Sequence, residues 1–474
     1  MPVLAPAITN LSATELASLI RQKQLSPVEV VDAYLQRIEE VNPALNAFAC
    51  INAGSARAQA RQAERAVMQG EHSQPLLGVP VTIKSCIDVQ GMLCEAGSRL
   101  RSGYVAQEDA PLVSRLKDAG AIVVGNTTVP EMLLAYHTEN ALHGRTNNPW
   151  GLDRTPGGSS GGEAAAIAAC MSAGGIGSDG GGSIRVPAHF SGICGLKPTP
   201  GRIPGTGHYP PCAGPFSLIG VVGPMARTVS DLKLLFEVTA GYDIGDPCSV
   251  PLPLQPLYKG EAQKLRIGYY EDDGFSSPTP ETRSAVRAAA HALKNAGFQV
   301  APFCPDGLER ARELWTAIFV DGIGMVTEPA VEGHEDKLSN NTREFLALAA
   351  DRPPLTGDRL MNTLLERDQV RRHVLSQMEE FPILLSPVCS IPAFRHEDAG
   401  WGPQHPADYL RTMSYCQYFN LLGNPAAVAP VGKSPEGLPI GVQIIGRPFR
   451  EEEVLAVAAV IEEQFGWREP PEVS

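Results

Sequence analysis

Between Pro156 and Arg185 the chain reads Pro-Gly-Gly-Ser-Ser-Gly-Gly, then an alanine-rich run from Glu163 to about Met171, then Gly-Gly-Ile-Gly-Ser-Asp-Gly-Gly-Gly-Ser-Ile-Arg. Glycine loses more conformational freedom on folding than any other residue, so a segment this rich in it is costly to order and suggests a purpose beyond ordinary packing. Consecutive glycines present backbone N–H groups with no side chain in front of them, which suits them to stabilising an oxyanion. Ser159 and Ser160 lie in the first tract, and Ser183 follows three glycines in the second.

Several motifs can be laid on this chain. Gly175, Gly177 and Gly180 satisfy G-x-G-x-x-G, but that fingerprint should follow a strand and open a helix, and Pro187 argues against a helix beginning at Gly180. Gly432-Lys433-Ser434 resembles the end of a phosphate loop, with Ala427 where its first glycine belongs. G-x-S-x-G occurs around Ser159 and again around Ser160. A nucleophile elbow comes straight after a buried strand, whereas Asn147 to Pro156 carries two prolines and no strand pattern. The ten histidines show no metal-binding spacing, and His137, His143 and His189 read as polar loop or core residues. What remains is a hydroxyl nucleophile served by a base other than histidine, a role lysine fills when its amine is neutral.

The surrounding sequence is that of a folded protein without a membrane span. Of its 474 residues 43% are hydrophobic and 19% charged. The most apolar stretch, Ala164 to Gly177, is shorter than the roughly 18 residues a spanning helix needs. A net charge of −13 repels phosphate backbones and anionic lipid, so neither nucleic acid nor a membrane is an expected partner. No secretory leader is evident, and ten cysteines without a C-x-x-C read as reduced core thiols; the expected location is the cytoplasm.

Ser12 with Glu15, and Ser26 with Glu29, form capping boxes that open two amphipathic helices. Further helices are expected at about 53–68, from Pro111 to just before Gly120, at 280–293 and at 451–465. Strands are expected at Val79–Ile83, with Lys84 at its end, and at 121–124, 265–270 and 298–303. This alternation suggests a largely parallel sheet. The proline-rich stretch 245–260 is linker-like, but the alternation resumes after it. One domain is therefore expected: N-terminal helices in 1–70, a core over 78–230, an excursion at 245–260 and the rest of the sheet in 261–474.

Gly78-Val-Pro-Val-Thr-Ile-Lys84, Gly157-Gly-Ser-Ser-Gly-Gly-Glu163, Gly177 to Arg185, Gly195-Leu-Lys-Pro-Thr199, Gly223 to Arg227 and Leu438 to Gln443 occur in this order. Together they resemble the amidase signature hydrolases, a family that includes fatty acid amide hydrolases, bacterial amidases and the A subunit of tRNA-dependent amidotransferases. The resemblance implies a single α/β domain with a mixed β-sheet sandwiched between layers of α-helices. It implies hydrolysis of carboxylic amides, with carbamates and esters in the same class, through an acyl-enzyme and without metal or organic cofactor. Carried over residue by residue, it makes Ser183 the nucleophile, Lys84 the base and Ser159 the bridging serine, held behind a cis Gly158–Ser159 peptide. The N–H groups of Gly180, Gly181, Gly182 and Ser183 would form the oxyanion hole, with Ser160, Asp179 and Arg185 holding the loops. Met132, Leu133, Leu134 and Tyr136 would line the acyl side of the pocket, and loops 208–216 and 327–356 would set specificity. The partners implied are a small amide or carbamate substrate and, at most, a second copy of the chain in a homodimer.

Three positions depart from the family pattern. Ser85-Cys86 follows Lys84 where many members have Asp-Asn, Gly180 replaces a Thr or Ile, and Val186 stands in place of the Gln found in the amidotransferase chains of the family. The last disfavours an amidotransferase role. A non-catalytic binding protein on this fold would be expected to lose one of Lys84, Ser159 or Ser183, and all three are present. Cys86, without a glycine loop beside it, reads as a buried thiol rather than a nucleophile.

Overall fold

The computed structural model describes residues 5–70, 73–257, 260–401, 408–467 and 469, with the backbone alone at 5–7 and 328–330. Its strands are β1 (Phe48–Ile51), β2 (Pro80–Lys84), β3 (Ile122–Thr127), β4 (Glu139–Asn140), β5 (Gly144–Arg145), β6 (Gly174–Asp179), β7 (Cys194–Lys197), β8 (Val221–Ala226), β9 (Arg266–Tyr269), β10 (Gln299–Pro302), β11 (Ile383–Pro387), β12 (Ala426–Lys433) and β13 (Pro439–Gly446). β4 and β5 form a small hairpin, and the other eleven build one sheet in the order β1-β3-β2-β6-β8-β7-β12-β13-β11-β9-β10. Only β3–β2, β2–β6, β11–β9 and β9–β10 pair in parallel; the other six pairs are antiparallel. The sheet is thus mixed, and the largely parallel sheet suggested by the alternation holds only toward its two ends. Its centre consists of strands such as β12 and β13, joined by a short turn, which can only run antiparallel.

Both faces of the sheet are covered. Successive side chains of a strand point to opposite faces. Accordingly Val123 packs with the helices Ala13–Arg21, Pro111–Asp118 and Glu451–Phe465, while its neighbours Ile122 and Val124 pack with Pro27–Leu45 and Gly161–Ala168. Ile444 and Ile445 divide the same way between two clusters. The strands β2, β3, β6, β8 and β13 are buried along their whole length, as a doubly covered sheet requires. Strands from either side of 245–260 belong to this one sheet.

Both capping boxes form. Ser12 Oγ accepts from the Glu15 N–H while the Glu15 carboxylate accepts from the Ser12 N–H at 2.8 Å, and Ser26 with Glu29 repeats the arrangement. The apolar stretch 164–177 divides between the helix Gly161–Ala168 and β6. Among the described residues no helix is long and apolar enough to cross a membrane.

Much of the glycine run does serve packing, contrary to the sequence-based expectation. A Cβ on Gly175 would run into Glu163 and Thr82, and one on Gly162 would lie 2.6 Å from the Thr128 amide nitrogen. Gly175 and Gly177 lie inside β6 and not in a turn after a strand, which disposes of the dinucleotide fingerprint. The helix that follows starts at Arg185, with Pro187 in its first turn, where a missing N–H costs nothing.

Candidate active site

β2 and β6 run parallel side by side, so Lys84 at the end of one and Asp179 at the end of the other reach the same edge of the sheet. The loop leaving β6 carries Gly180 to Ser183, and the turn entering the helix Gly161–Ala168 carries Ser159. The Ser160 N–H donates to the Ser183 carbonyl at 3.1 Å and ties these two loops together. A crevice beyond the carboxyl ends of parallel strands is where α/β sheets bind ligands. Here it is a cavity of about 450 Å³ whose lining includes Ser159, Ser178, Gly180 and Ser183.

Lys84 is wholly buried behind Ser159 and Ser178, which line this cavity. Its Nζ donates to Ser159 Oγ at 2.7 Å, to Ser178 Oγ at 2.9 Å and to the Ser178 carbonyl at 3.4 Å. Burial lowers its pKa to about 8, against the opposing charges of Cys86, Asp179 and Glu163. The Gly158–Ser159 peptide is cis. Ser183 is partly exposed, and among the described residues its hydroxyl has no hydrogen-bond partner.

Asp179 and Arg185 hold the glycine loop. The guanidinium makes a bidentate pair with the carboxylate at 2.8 and 2.9 Å, donates to Gln443 Oε1 at 2.6 Å and also bonds Asn420 Oδ1. Burial by itself would raise the Asp179 carboxyl, but Arg185 overrides it and holds the group well below the usual carboxylate range. Asp179 also accepts from the Gly182 N–H at 2.7 Å and the Ile184 N–H at 3.1 Å. This corrects the expected oxyanion set: the Gly182 N–H is already committed to Asp179. The N–H groups of Gly180, Gly181 and Ser183 have no acceptor among the described residues. Ser160 Oγ accepts from the Ser178 N–H at 3.3 Å and donates to the Ser178 carbonyl at 3.2 Å, near the end of β6.

Met132, Leu133 and Leu134 line the cavity, but Tyr136 does not. Tyr136 instead donates to the Gly181 carbonyl at 3.1 Å and accepts from Gln417, and Trp315 Nε1–H donates to the Gly180 carbonyl at 2.8 Å. These two bonds turn the peptide units of the loop. Of the expected specificity loops, His208 and residues 210–216 contribute, whereas among the described residues of 327–356 only Thr327 does. Phe319, Ile323 and Val326 complete that wall; their apolar run gives no sequence signal distinguishing a pocket wall from a core helix.

Sequence reasoning also missed Ser178 and the pair Cys86–His208. Ser178 occupies an unremarked position inside the glycine motif, and the other two meet only through folding. Beneath Lys84, the buried Glu163 carboxyl accepts from Thr82 and Thr127 and is pushed by burial up to about 7. His189 lies away from the cavity with Nδ1 accepting from the Gly441 N–H at 2.8 Å, a core histidine as expected. All ten cysteines are free thiols, and among the described residues no cluster of metal-ligating side chains is found.

Residues 29–455 match the family described as Amidase. The indoleacetamide hydrolase of Bradyrhizobium diazoefficiens is 34% identical over 468 residues, covering 96% of this chain and 86% of the relative. The fatty-acid amide hydrolase 2-A of Danio rerio is 33% identical over 500 residues, covering 98% and 91%. The solved structure of 6-aminohexanoate cyclic dimer hydrolase superposes with a TM-score of 0.85 at 29% identity, over 98% of this chain and 99% of the other. With Lys84, Ser159 and Ser183 brought to one edge of a mixed sheet and the match spanning nearly its whole length, the chain belongs to the amidase signature family, hydrolases of carbon–nitrogen bonds in amides.

Proposed function

We propose that the protein hydrolyses small, uncharged amides, with carbamates and esters as further substrates, through a Ser183–Ser159–Lys84 relay. The observation that carries this reading is the 2.7 Å contact of Lys84 Nζ with Ser159 Oγ on the floor of a cavity that also holds the unengaged Ser183 hydroxyl. Ser183 attacks the carbonyl as Ser159 takes its proton and passes its own to neutral Lys84. The oxyanion is met by the N–H groups of Gly180, Gly181 and Ser183. The relay then returns a proton to the leaving amine, and water releases the acyl group by the same route.

The cavity wall argues for the substrate class. It is largely apolar, with Met132, Leu134, Phe216, Ile219, Phe319 and Ile323. Among the described residues its ionisable members are Asp179, already paired with Arg185, and His208 and Cys212. Glutamine, the amide donor of an amidotransferase, carries an α-ammonium and an α-carboxylate that would need charged partners here. An aromatic or alkyl amide needs none, so free-standing hydrolysis is favoured. The ten unpaired thiols suit a reducing compartment such as the cytoplasm.

Labelling with a fluorophosphonate followed by peptide mass spectrometry tests the assignment. A single adduct on Ser183 is expected, and Ser159→Ala should lower hydrolysis of indoleacetamide or a neutral anilide by about 10²–10⁴-fold or more, the usual worth of a general acid or base. An adduct on Ser159 or Cys86 with Ser183 unmodified overturns it.

A further inference from the structure

Next to the relay lies a second chain of polar groups that the hydrolysis described above does not use. Cys86, wholly buried, follows β2 by two residues, and its Sγ lies 3.5 Å from His208 Nε2 and 3.8 Å from Ser178 Oγ. Ser178 Oγ in turn accepts from Lys84 Nζ at 2.9 Å. His208 is half-buried and held by backbone pairing: the Asp88 N–H donates to the Gly207 carbonyl at 2.9 Å and the Tyr209 N–H to the Cys86 carbonyl at 2.8 Å. Its Nδ1 lies 2.7 Å from the Pro210 carbonyl, which can only accept, so Nδ1 carries a hydrogen and Nε2 is left to face Cys86.

A sulfur and an imidazole nitrogen so placed share one proton. We propose that Cys86 and His208 form a buried thiolate–imidazolium pair that acts through Ser178 to hold Lys84, making the pair a positioning unit for the base. Both partners shift in the direction the ion pair requires. Burial would raise the Cys86 thiol, but His208 and Lys84 bring it down. Burial would lower His208, but Cys86 and Cys212 hold it well above the usual imidazole range. The thiolate is the end of the pair nearer Lys84, so its net effect is to favour the charged amine. The other titratable groups around the three residues are Asp179 at the end of β6, Glu163 from the helix Gly161–Ala168, Cys212 from the loop after His208 and Cys94 beyond Cys86. None of them bridges Lys84 and His208 as Cys86 and Ser178 do. Ser85 and Cys86 stand where many family members carry Asp and Asn after the lysine, so here the charged neighbour of the base would be residue 86 and not residue 85.

The inference rests on the base role proposed for Lys84. Its test is the rate at which a fluorophosphonate modifies Ser183 in the full chain, measured from about pH 5 to 10, a window spanning the ordinary and shifted values. The chains compared are the parent, Cys86→Ala, Cys86→Ser, His208→Gln, the double variant Cys86→Ser/His208→Gln and Lys84→Ala. Removing either partner should move the alkaline rise to lower pH by roughly 0.5–1 unit, in line with loss of one nearby charge. The double variant should move it no further than a single one, because the pair acts as a unit. Melting temperatures identify any variant that fails to fold; Cys86→Ser, close in size, then carries the comparison. A rise that depends on Lys84 but stays in place in Cys86→Ser and His208→Gln, or shifts that add in the double variant, overturns the pair and leaves the relay standing. A parent profile without a rise, or Lys84→Ala labelling at the parental rate, overturns the relay instead.

Discussion

At the scale of single residues, the chemistry turns on the state of one amine. A lysine amine takes a proton only when it does not already carry one, and an ordinary lysine, near 10.5, would be charged in nearly every molecule at neutral pH. Enclosure of Lys84 beneath the cavity moves it to about 8, so the neutral form is a substantial minority at pH 7 and the majority above 8. Because the shift is downward and the active form is the deprotonated one, kcat/KM for a neutral anilide should rise with pH. It should increase about tenfold per unit on the acid side, as one deprotonation requires, pass its midpoint near 8 and then level off. Lys84→Arg should abolish the rise and the activity, since a guanidinium stays protonated throughout the range. A midpoint near 10 in the parent would mean that the buried position does not tune the base.

At the scale of elements, the site depends on how closely β6 can lie against β2 and the helix Gly161–Ala168. Glu163 projects from that helix to bond Thr82 on β2, and Gly175 leaves the room it needs. Gly175→Ala puts a methyl group into Glu163 and the Thr82 backbone, an overpacking that should cost about 1–3 kcal/mol or more. Gly54→Ala is the control: nothing lies within 4 Å of its added Cβ, and inside the helix Ala53–Gln69 the change should be neutral or stabilising by about 0.5–1 kcal/mol. Equilibrium unfolding in urea compares the two, and equal midpoints would refute the packing account. This crowding also explains what the sequence could and could not reveal. Ser12–Glu15 and Ser26–Glu29 were legible because a cap is made by residues three apart, β2 because Val79, Val81 and Ile83 alternate, and β3 because Ile122, Val123 and Val124 form a β-branched run. The segment Gly174–Asp179 has no such pattern and reads as a loop. It is a strand because β2 and β8 pair with it on either side and their packing overrides its poor propensity. The triad positions were legible only through resemblance, whereas Ser178 and the contact of Cys86 with His208 depend on segments distant in sequence, which no local pattern encodes.

At the scale of the whole molecule, burying ionisable groups under the active site links folding to pH in a predictable direction. Glu163 titrates near 4.5 when unfolded and about 7 when folded, so between these values the native chain holds a proton that the unfolded chain has released. Its contribution to stability is therefore complete below 4.5, declines as pH rises and is lost above about 7. At about 1.4 kcal/mol per unit the loss amounts to about 3 kcal/mol. Lys84 works in the opposite sense at higher pH: between 8 and 10.5 the unfolded chain binds the extra proton, so this group's contribution to stability grows as pH rises through that window. Asp179, held low by Arg185, contributes above its ordinary value of 3.8 and loses that contribution only in acid. The Glu163 limb can be isolated with Glu163→Gln, whose amide keeps the shape and can still bond the Thr82 and Thr127 hydroxyls but never ionises. Calorimetric melting of both chains from pH 5 to 8 should show the variant near or slightly below the parent at the acid end. As the parent pays for ionising its buried carboxyl, the variant should overtake it by roughly 2–5 °C at the alkaline end. A difference between the two chains that stays constant across that window would mean that Glu163 ionises as readily in the folded protein as in the unfolded one.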